Sequence, residues 1–454
     1  MSRVFWFRRD LRLQDNVALN VAVQGSNDDG DGLVTPVYIT DLDKFEALSE
    51  IRQHSLVASL DSLGASLDRK LTIRHVRGVL GSELVNVALA AGAKVVHATR
   101  AFDPEGIAEQ NEAGLTLAAA GIFLQLDDSN YAVAPGLVNK PDGTAYRVYT
   151  PFYKLWSTLA VNPPVKLLAP AKPWLEPLEC MGRPVARGEM AIRAGEAFAL
   201  RTLARFIERA IHDYDENRNR ADLSGTSHLS HALAHGEIHP RTILASIGDG
   251  AGETVFAKEI CWREFYADVL FRNPDSLNDY YDKRYAQMRY DKGPAAEKKL
   301  EAWKRGETGY PMVDAGMRQL LADGWMHNRV RMIVASFLVK DLHLEWQQGA
   351  EHFEYLLSDF DPASNAHGWQ WTAGSGTDAS PYFRVFNPVS QGYKFDPNGD
   401  YVRKYIPELR HIDGAAVHEP WNLLDGLSGG YCEPIVDHSV ERTEALQRLA
   451  EIKK

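Results

Sequence analysis

The segment Asp359-Phe360-Asp361-Pro362-Ala363-Ser364-Asn365-Ala366-His367-Gly368-Trp369-Gln370-Trp371 brings two carboxylates, a neutral amide and two indoles together over a short stretch. Carboxylates bind the polar edge of an organic ring. An amide exchanges hydrogen bonds with a ring nitrogen without adding charge. Indoles stack on flat ligands and pass single electrons. A flavin engaged in one-electron chemistry calls for all three. A competing reading is a metal site, because D-x-D serves Mg²⁺ or Ca²⁺; the tryptophans that follow and the lack of further acids favour the organic ring. His367 reads as structural. Gly374-Ser375-Gly376-Thr377-Asp378 then predicts a tight turn with close backbone approach.

Three other stretches carry chemistry, each with a plainer alternative. Asp222-Leu223-Ser224-Gly225-Thr226-Ser227-His228-Leu229-Ser230 is a hydroxyl-rich turn ahead of a helix. It can hold phosphate on hydroxyls and backbone N–H groups, or serve as a helix cap through Ser227 or Ser230. In the helical stretch Glu259–Tyr266, residues Glu259, Trp262, Arg263 and Tyr266 share one face. That face can stack and hydrogen-bond a base, or form an amphipathic surface with a Glu259–Arg263 pair. Gly324-Trp325-Met326-His327-Asn328-Arg329-Val330-Arg331-Met332 places two arginines beside a histidine. This suits phosphate contact or a solvated helix start.

The elements that must position these groups follow from periodicity. Residues 1–130 alternate β-rich runs (Val4–Phe7, Leu33–Ile39, Leu71–Val76, Lys94–Ala98, Gly121–Leu126) with helix-like stretches. This predicts an α/β domain with a doubly wound parallel five-stranded sheet. No GxGxxG or P-loop string occurs in it. Residues 131–195 are broken by prolines, Pro170 and Pro173 among them, and read as a long interdomain linker draped over both domains. Residues 196–454 read as an all-helical domain: Gly195–Ala210, Pro240–Ile247, Gly252–Leu270, Pro294–Gly306, Met312–Asp323, Asn328–Leu342 and Ala350–Leu357. Most of its tryptophans are expected in its core.

A chain of 454 residues is expected to form two or three domains. No apolar run approaches the ~20 residues of a membrane span, and the N-terminus lacks a secretory h-region. The scattered Cys180, Cys261 and Cys432 suggest neither disulfides nor zinc, and a cytoplasmic setting. A net charge of −11 confines any polyanion binding to a local basic face.

In this order, Phe5-Trp6-Phe7-Arg8-Arg9-Asp10-Leu11-Arg12-Leu13, Tyr149-Thr150-Pro151-Phe152, Gly309-Tyr310-Pro311, Trp325-Met326-His327-Asn328-Arg329, Gly368-Trp369-Gln370-Trp371 and Tyr382-Phe383-Arg384-Val385-Phe386-Asn387-Pro388 resemble the photolyase/cryptochrome family. They are most similar to class I cyclobutane pyrimidine dimer photolyases. The resemblance implies light-driven repair of pyrimidine dimers in UV-damaged DNA by a monomer. It implies FAD, reduced and anionic in the active state, buried in the helical domain. FAD would be held by Tyr214, Thr226, Ser227, His228, Leu229, Ser230, Phe256, Arg331, Asp359, Phe360 and Asp361, with Asn365 facing flavin N5 and Arg331 paired with Asp359. Glu259 would hydrogen-bond the lesion, Trp262 and Trp371 would wall it, and Asn328 and Met332 would line its pocket. Arg218, Arg263, Arg329 and Gln391 would contact DNA nearby.

The chain departs from the family at one point. Trp369 and Trp346 match the inner and middle members of the tryptophan route that photoreduces FAD, but the outer position falls at Gly293, in a stretch with a short insertion. Tyr290 is a possible substitute, and the expectation is slower or rerouted photoreduction with repair intact. The antenna is open: Arg100–Gly106 matches folate-binding relatives loosely, so methenyltetrahydrofolate, 8-hydroxydeazaflavin, a flavin or none all remain. A sensory cryptochrome is the alternative function. Asn365, Glu259, Trp262, Asn328 and Met332 favour repair, and a histidine pair suited to (6-4) photoproducts is not evident.

Overall fold

The protein is described from a computed structural model covering residues 2–29, 31–168, 174–378 and 383–452. Pro170 and Pro173 of the linker and Tyr382 of the last motif lie outside the described residues.

Five strands, β1 (Arg3–Phe7), β2 (Val34–Asp41), β3 (Thr72–Val76), β4 (Val95–Thr99) and β5 (Phe123–Asp127), form one parallel sheet in the order β3-β2-β1-β4-β5. Parallel neighbours need a crossover, and helices such as Val17–Asp29, Glu50–Ser66, Gly81–Ala90 and Pro104–Ala119 supply it. Central β1 is apolar and buried from Val4 to Phe7 because both faces are covered. Phe5 and Phe7 pack with Leu19 and Leu60 on one side, Val4 and Trp6 with Leu84 and Val96 on the other. The strand order reverses between β1 and β4, and ligand crevices form at such reversals in sheets of this kind. Here the strand ends are tied together: Asp10 Oδ2 accepts from Thr99 Oγ1 at 2.7 Å, and Arg8 Nη2 donates to the Thr99 carbonyl at 2.5 Å.

The linker is more structured than its prolines predict. It contains the helix Tyr149–Leu159. Its later part adds to the sheet region: Leu175 N donates to the Val34 carbonyl and Met181 N to the Ile73 carbonyl, both at 2.9 Å.

The helical part contains Glu196–Arg209, Pro240–Ser246, Ala251–Arg272, Pro294–Arg305, Pro311–Asp323, Asn328–Lys340, Trp346–Leu356, Pro362–Ala373 and Pro388–Phe395, among others. The Trp346 helix begins one turn before the expected Ala350, behind Glu345 as N-cap. By compactness the chain forms two units, residues 1–209 with 227–272, and residues 210–226 with 273–454. The core of the second holds Trp303, Trp346 and Trp369, which bears out the structural use of tryptophan. Among the described residues no helix is long and apolar enough to cross a membrane.

Candidate active site

In the second unit the opening segment folds as a short turn and the helix Pro362–Ala373. Asp361 is its N-cap and accepts from Ser364 N at 2.8 Å, with Pro362 at the first helical position. Asp359 is buried. Its Oδ2 accepts from Arg331 Nη2 at 2.7 Å, so the expected Arg331–Asp359 pair is present. Its Oδ1 is buried with no hydrogen-bond partner among the described residues. A buried acceptor oxygen in that state calls for a donor, and a ring N–H of a flat cofactor supplies one. Arg331 is itself oriented by the Met326 carbonyl, 2.8 Å from its Nε. Asn365, one turn into the helix, donates from Nδ2 to the Ala350 carbonyl at 3.0 Å, which turns its amide oxygen into the group offered to a ligand.

This arrangement disfavours a metal. One carboxylate is engaged by a guanidinium and the other by a helix terminus, and among the described residues no cluster of three or more His, Cys, Asp or Glu is built to hold an ion. His367 is buried, lies 3.4 Å from Ser276 Oγ, and has its pKa lowered to about 4 by burial, as a structural histidine would. Trp369 is buried, with its ring against Gly349, where a Cβ would come within 2.1 Å of the indole. Only glycine leaves room for that approach. Trp371 is half-buried.

The Asn328–Lys340 helix starts from His327, whose Nδ1 accepts from Arg329 N at 3.1 Å. Asn328 is exposed and Met332 half-buried, one turn apart on the same face. Arg329 donates to Asn219 Oδ1 at 2.7 and 3.1 Å and covers the Phe395 ring. Arg218 lies over the ring of buried Tyr214 at 5.9 Å, and Gln391 is half-buried.

In the first unit, the Ala251–Arg272 helix separates two faces. Its inner face is bolted to the linker by two buried carboxylates. Glu264 accepts from Ala132 N, Val133 N and Trp156 Nε1 at 2.5, 3.0 and 2.6 Å; Asp268 accepts from Gly136 N at 2.7 Å. Burial pushes the Glu264 carboxyl up to about 6. Its outer face carries half-buried Glu259, Trp262 and Tyr266. Trp262 stacks on Tyr149 of the linker, centroids 3.7 Å apart and planes at 4°, and the Tyr149 hydroxyl donates to the Lys258 carbonyl at 2.8 Å. Arg263 donates to the Asn130 and Leu233 carbonyls at 3.1 and 3.4 Å and covers the Tyr131 ring. Its guanidinium is therefore engaged within the unit.

Buried Phe256 packs against Phe206 at 4.8 Å. The hydroxyl-rich turn leads into a helix of five residues, Ser230–Ala234. Leu229, and neither serine, is its N-cap; Ser227 Oγ instead accepts from Leu229 N at 3.4 Å. His228 holds φ +52°, a left-handed conformation uncommon outside glycine and found at functional turns. Asp103 of the Arg100–Gly106 stretch caps the Pro104–Ala119 helix, accepting from Gly106 N at 3.0 Å.

Sequence reasoning gave no role at the site to Tyr149 or Phe206, whose partners lie far along the chain. The signals available for Tyr149 were its place in the Tyr149-Thr150-Pro151-Phe152 motif and at the start of a short amphipathic run inside the proline-rich linker.

A family description, the FAD binding domain of DNA photolyase, matches residues 256–451, and another, DNA photolyase, matches residues 3–171. A deoxyribodipyrimidine photo-lyase of Agrobacterium fabrum is 38% identical over 99% of this chain and 98% of its own length. The chain belongs to the DNA photolyase family. It carries that family's FAD-binding domain. A class III photolyase from Agrobacterium tumefaciens has a similar structure, with a TM-score of 0.86 and 35% identity over 100% of this chain and 98% of its own. A cryptochrome from Synechocystis sp. matches with a TM-score of 0.87 and 27% identity over 98% of each chain. Photolyase and cryptochrome thus share this architecture, and the distinction between them rests on individual residues.

Proposed function

We propose that the chain is a light-driven DNA repair lyase that splits cyclobutane pyrimidine dimers. The observation that carries this reading is Asp359: one oxygen is held by Arg331, the other is buried and partnerless among the described residues, and Asn365 follows on the same segment. That donor and acceptor set fits FAD. When bound in its reduced state, FAD supplies a light-driven electron to the dimer and recovers it after the two inter-base bonds part, with no net redox change.

The chain's own residues do the rest. Asp359 and Asp361 hold the ring and its polar edge, with Tyr214, the Thr226–Ser230 turn, Phe256, Arg331 and Phe360 completing the cofactor's surroundings. Asn365 offers a neutral acceptor toward N5, where a carboxylate would repel an anionic ring. Trp262 and Trp371 supply aromatic faces for the extruded dimer, and the stacked Tyr149 keeps Trp262 from turning away. Glu259 hydrogen-bonds the lesion and offsets charge developing on its carbonyl oxygens. Asn328 and Met332 bound the lesion from the Asn328–Lys340 helix. Arg218, Arg329 and Gln391 contact the backbone; Arg263, held by two carbonyls, steadies the helix that bears Glu259. Extruding a base costs roughly a few kcal/mol, the general figure for base-flipping enzymes, photolyases among them. A dimer stacks poorly and lowers that cost. The working state in this reading is a monomer in the cytoplasm, with all three cysteines free.

The test is a dimer-containing oligonucleotide, protein with fully reduced FAD, and blue light. Restored thymine is expected. No restoration with the flavin fully reduced removes the repair reading and leaves a light sensor of the same fold.

A further inference from the structure

With Gly293 at the expected outer position, the aromatic route from Trp369 has no tryptophan exit there. Gly293 is the N-cap of the Pro294–Arg305 helix, at φ +83°. Two branches leave Trp369 among the described residues. Trp303 lies 6.0 Å away, edge to face. It is fully buried, and its indole N–H is tied to the Val334 carbonyl at 3.0 Å. Its neighbour His352, 5.7 Å away edge to face, does not meet that N–H, which ends on the carbonyl.

The second branch runs along the Trp346 helix. Trp369 presses on Gly349 of that helix, one turn from Trp346. Tyr280 meets Trp346 edge-on, centroids 6.3 Å apart and planes at 83°. Tyr290 stacks on Tyr280 at 6.3 Å and 17°. Tyr280 is buried, whereas Tyr290 is only half-buried. Glu345, the N-cap of the Trp346 helix, adds its charge to the effect of burial in raising both phenol pKa values, Tyr280 to about 12.

We propose that Tyr280 and Tyr290 are the exit of the photoreduction route, with the hole coming to rest on Tyr290. The inference rests on the FAD reading above. Trp369 gives one electron to photoexcited oxidised FAD, Trp346 refills Trp369, and the phenol pair refills Trp346. The oxidised phenol of half-buried Tyr290 releases its proton to water. FAD thereby gains one electron, one tyrosine loses one electron and one proton, and both indoles end unchanged.

Transient absorption and electron paramagnetic resonance on the holoprotein with oxidised FAD test this. A blue flash is expected to end in a tyrosyl radical, with its sharp violet band and ring-proton hyperfine pattern, formed more slowly in D₂O because a proton leaves with the electron. Tyr290→Trp is expected to replace that signal with the broad visible band of a tryptophanyl radical. The double variant Tyr280→Phe/Tyr290→Phe is expected to lose the tyrosyl signal and most of the photoreduction yield. A tryptophanyl radical as the end product in the unaltered protein, or a tyrosyl signal that survives the double variant, overturns the proposal. Repair by protein whose FAD was reduced chemically beforehand stays intact in these variants. A failure of that assay in the unaltered protein counts against the functional reading and leaves the tyrosine exit standing.

Discussion

At Asp359 the two carboxylate oxygens have different fates: one pairs with Arg331 at 2.7 Å, the other is buried without a partner among the described residues. An unpaired buried acceptor costs roughly 1–3 kcal/mol, which a bound donor returns. Asp359→Ala removes both the acceptor and the anchor of Arg331. It is expected to cut FAD retention by an amount on the order of 3 kcal/mol, about a hundredfold in affinity. Flavin content after gel filtration checks this, and full occupancy at unchanged affinity would sink the cofactor assignment. The chemistry of this residue was legible in the sequence because two aspartates, an amide and indoles lie within one segment. The use of Asp361 as a helix N-cap was not. The Arg331 partner of Asp359 followed from the family resemblance and not from the segment itself, because it comes from another helix.

At the scale of elements, the Ala251–Arg272 helix decides where Glu259 and Trp262 stand. Period 3.6 placed Glu259, Trp262 and Tyr266 on one face. It did not reveal that Glu264 and Asp268, polar in sequence, are the buried side, where they receive backbone N–H groups from Ala132, Val133 and Gly136. Charged residues read as surface until their donors are known. Tyr149 belongs to the same case. Tyr149→Leu keeps an apolar filler but loses the stack on Trp262 and the bond to the Lys258 carbonyl. An aromatic pair contributes about 0.5–1.5 kcal/mol beyond area, so affinity for a dimer-containing oligonucleotide is expected to fall several-fold to about tenfold. Fluorescence anisotropy measures it, with a thermal melt to separate binding from stability. Unchanged affinity would mean that Tyr149 does not position the indole for the lesion.

At the scale of the whole molecule, one buried cation makes stability depend on pH. Lys340 closes the Asn328–Lys340 helix, donates to the Arg384 carbonyl at 2.5 Å and lies over the Phe383 ring at 4.2 Å. Burial lowers its pKa to about 7, against the opposing pull of Asp341. The unfolded chain keeps that proton up to a pKa near ~10.4, so between the two values unfolding takes up a proton and stability rises with pH. Below about pH 7 the burial cost is fully present. Lys340→Met is therefore expected to raise the melting temperature most at pH 6 to 7 and progressively less toward pH 10, with a free-energy gain of about a few kcal/mol at the low end. Melts across that range check the sign. A gain independent of pH would show that the lysine is not held neutral by burial.

Local physics determined much of this protein. Short apolar runs at even spacing, helix signals such as Pro240 and Pro294 at first helical positions, and the ordered motifs were sufficient for the parallel sheet, most of the helical half and the family. These features arise from residues near one another in sequence, where periodicity and capping act. Tertiary structure alone decided that the proline-rich linker holds a helix that stacks on Trp262, that Leu229 and not a serine caps its short helix, and that Tyr280 bridges Trp346 to Tyr290. The aromatic contacts depend on side chains from separate elements meeting at van der Waals distance in a close-packed interior, and no local pattern records such a meeting.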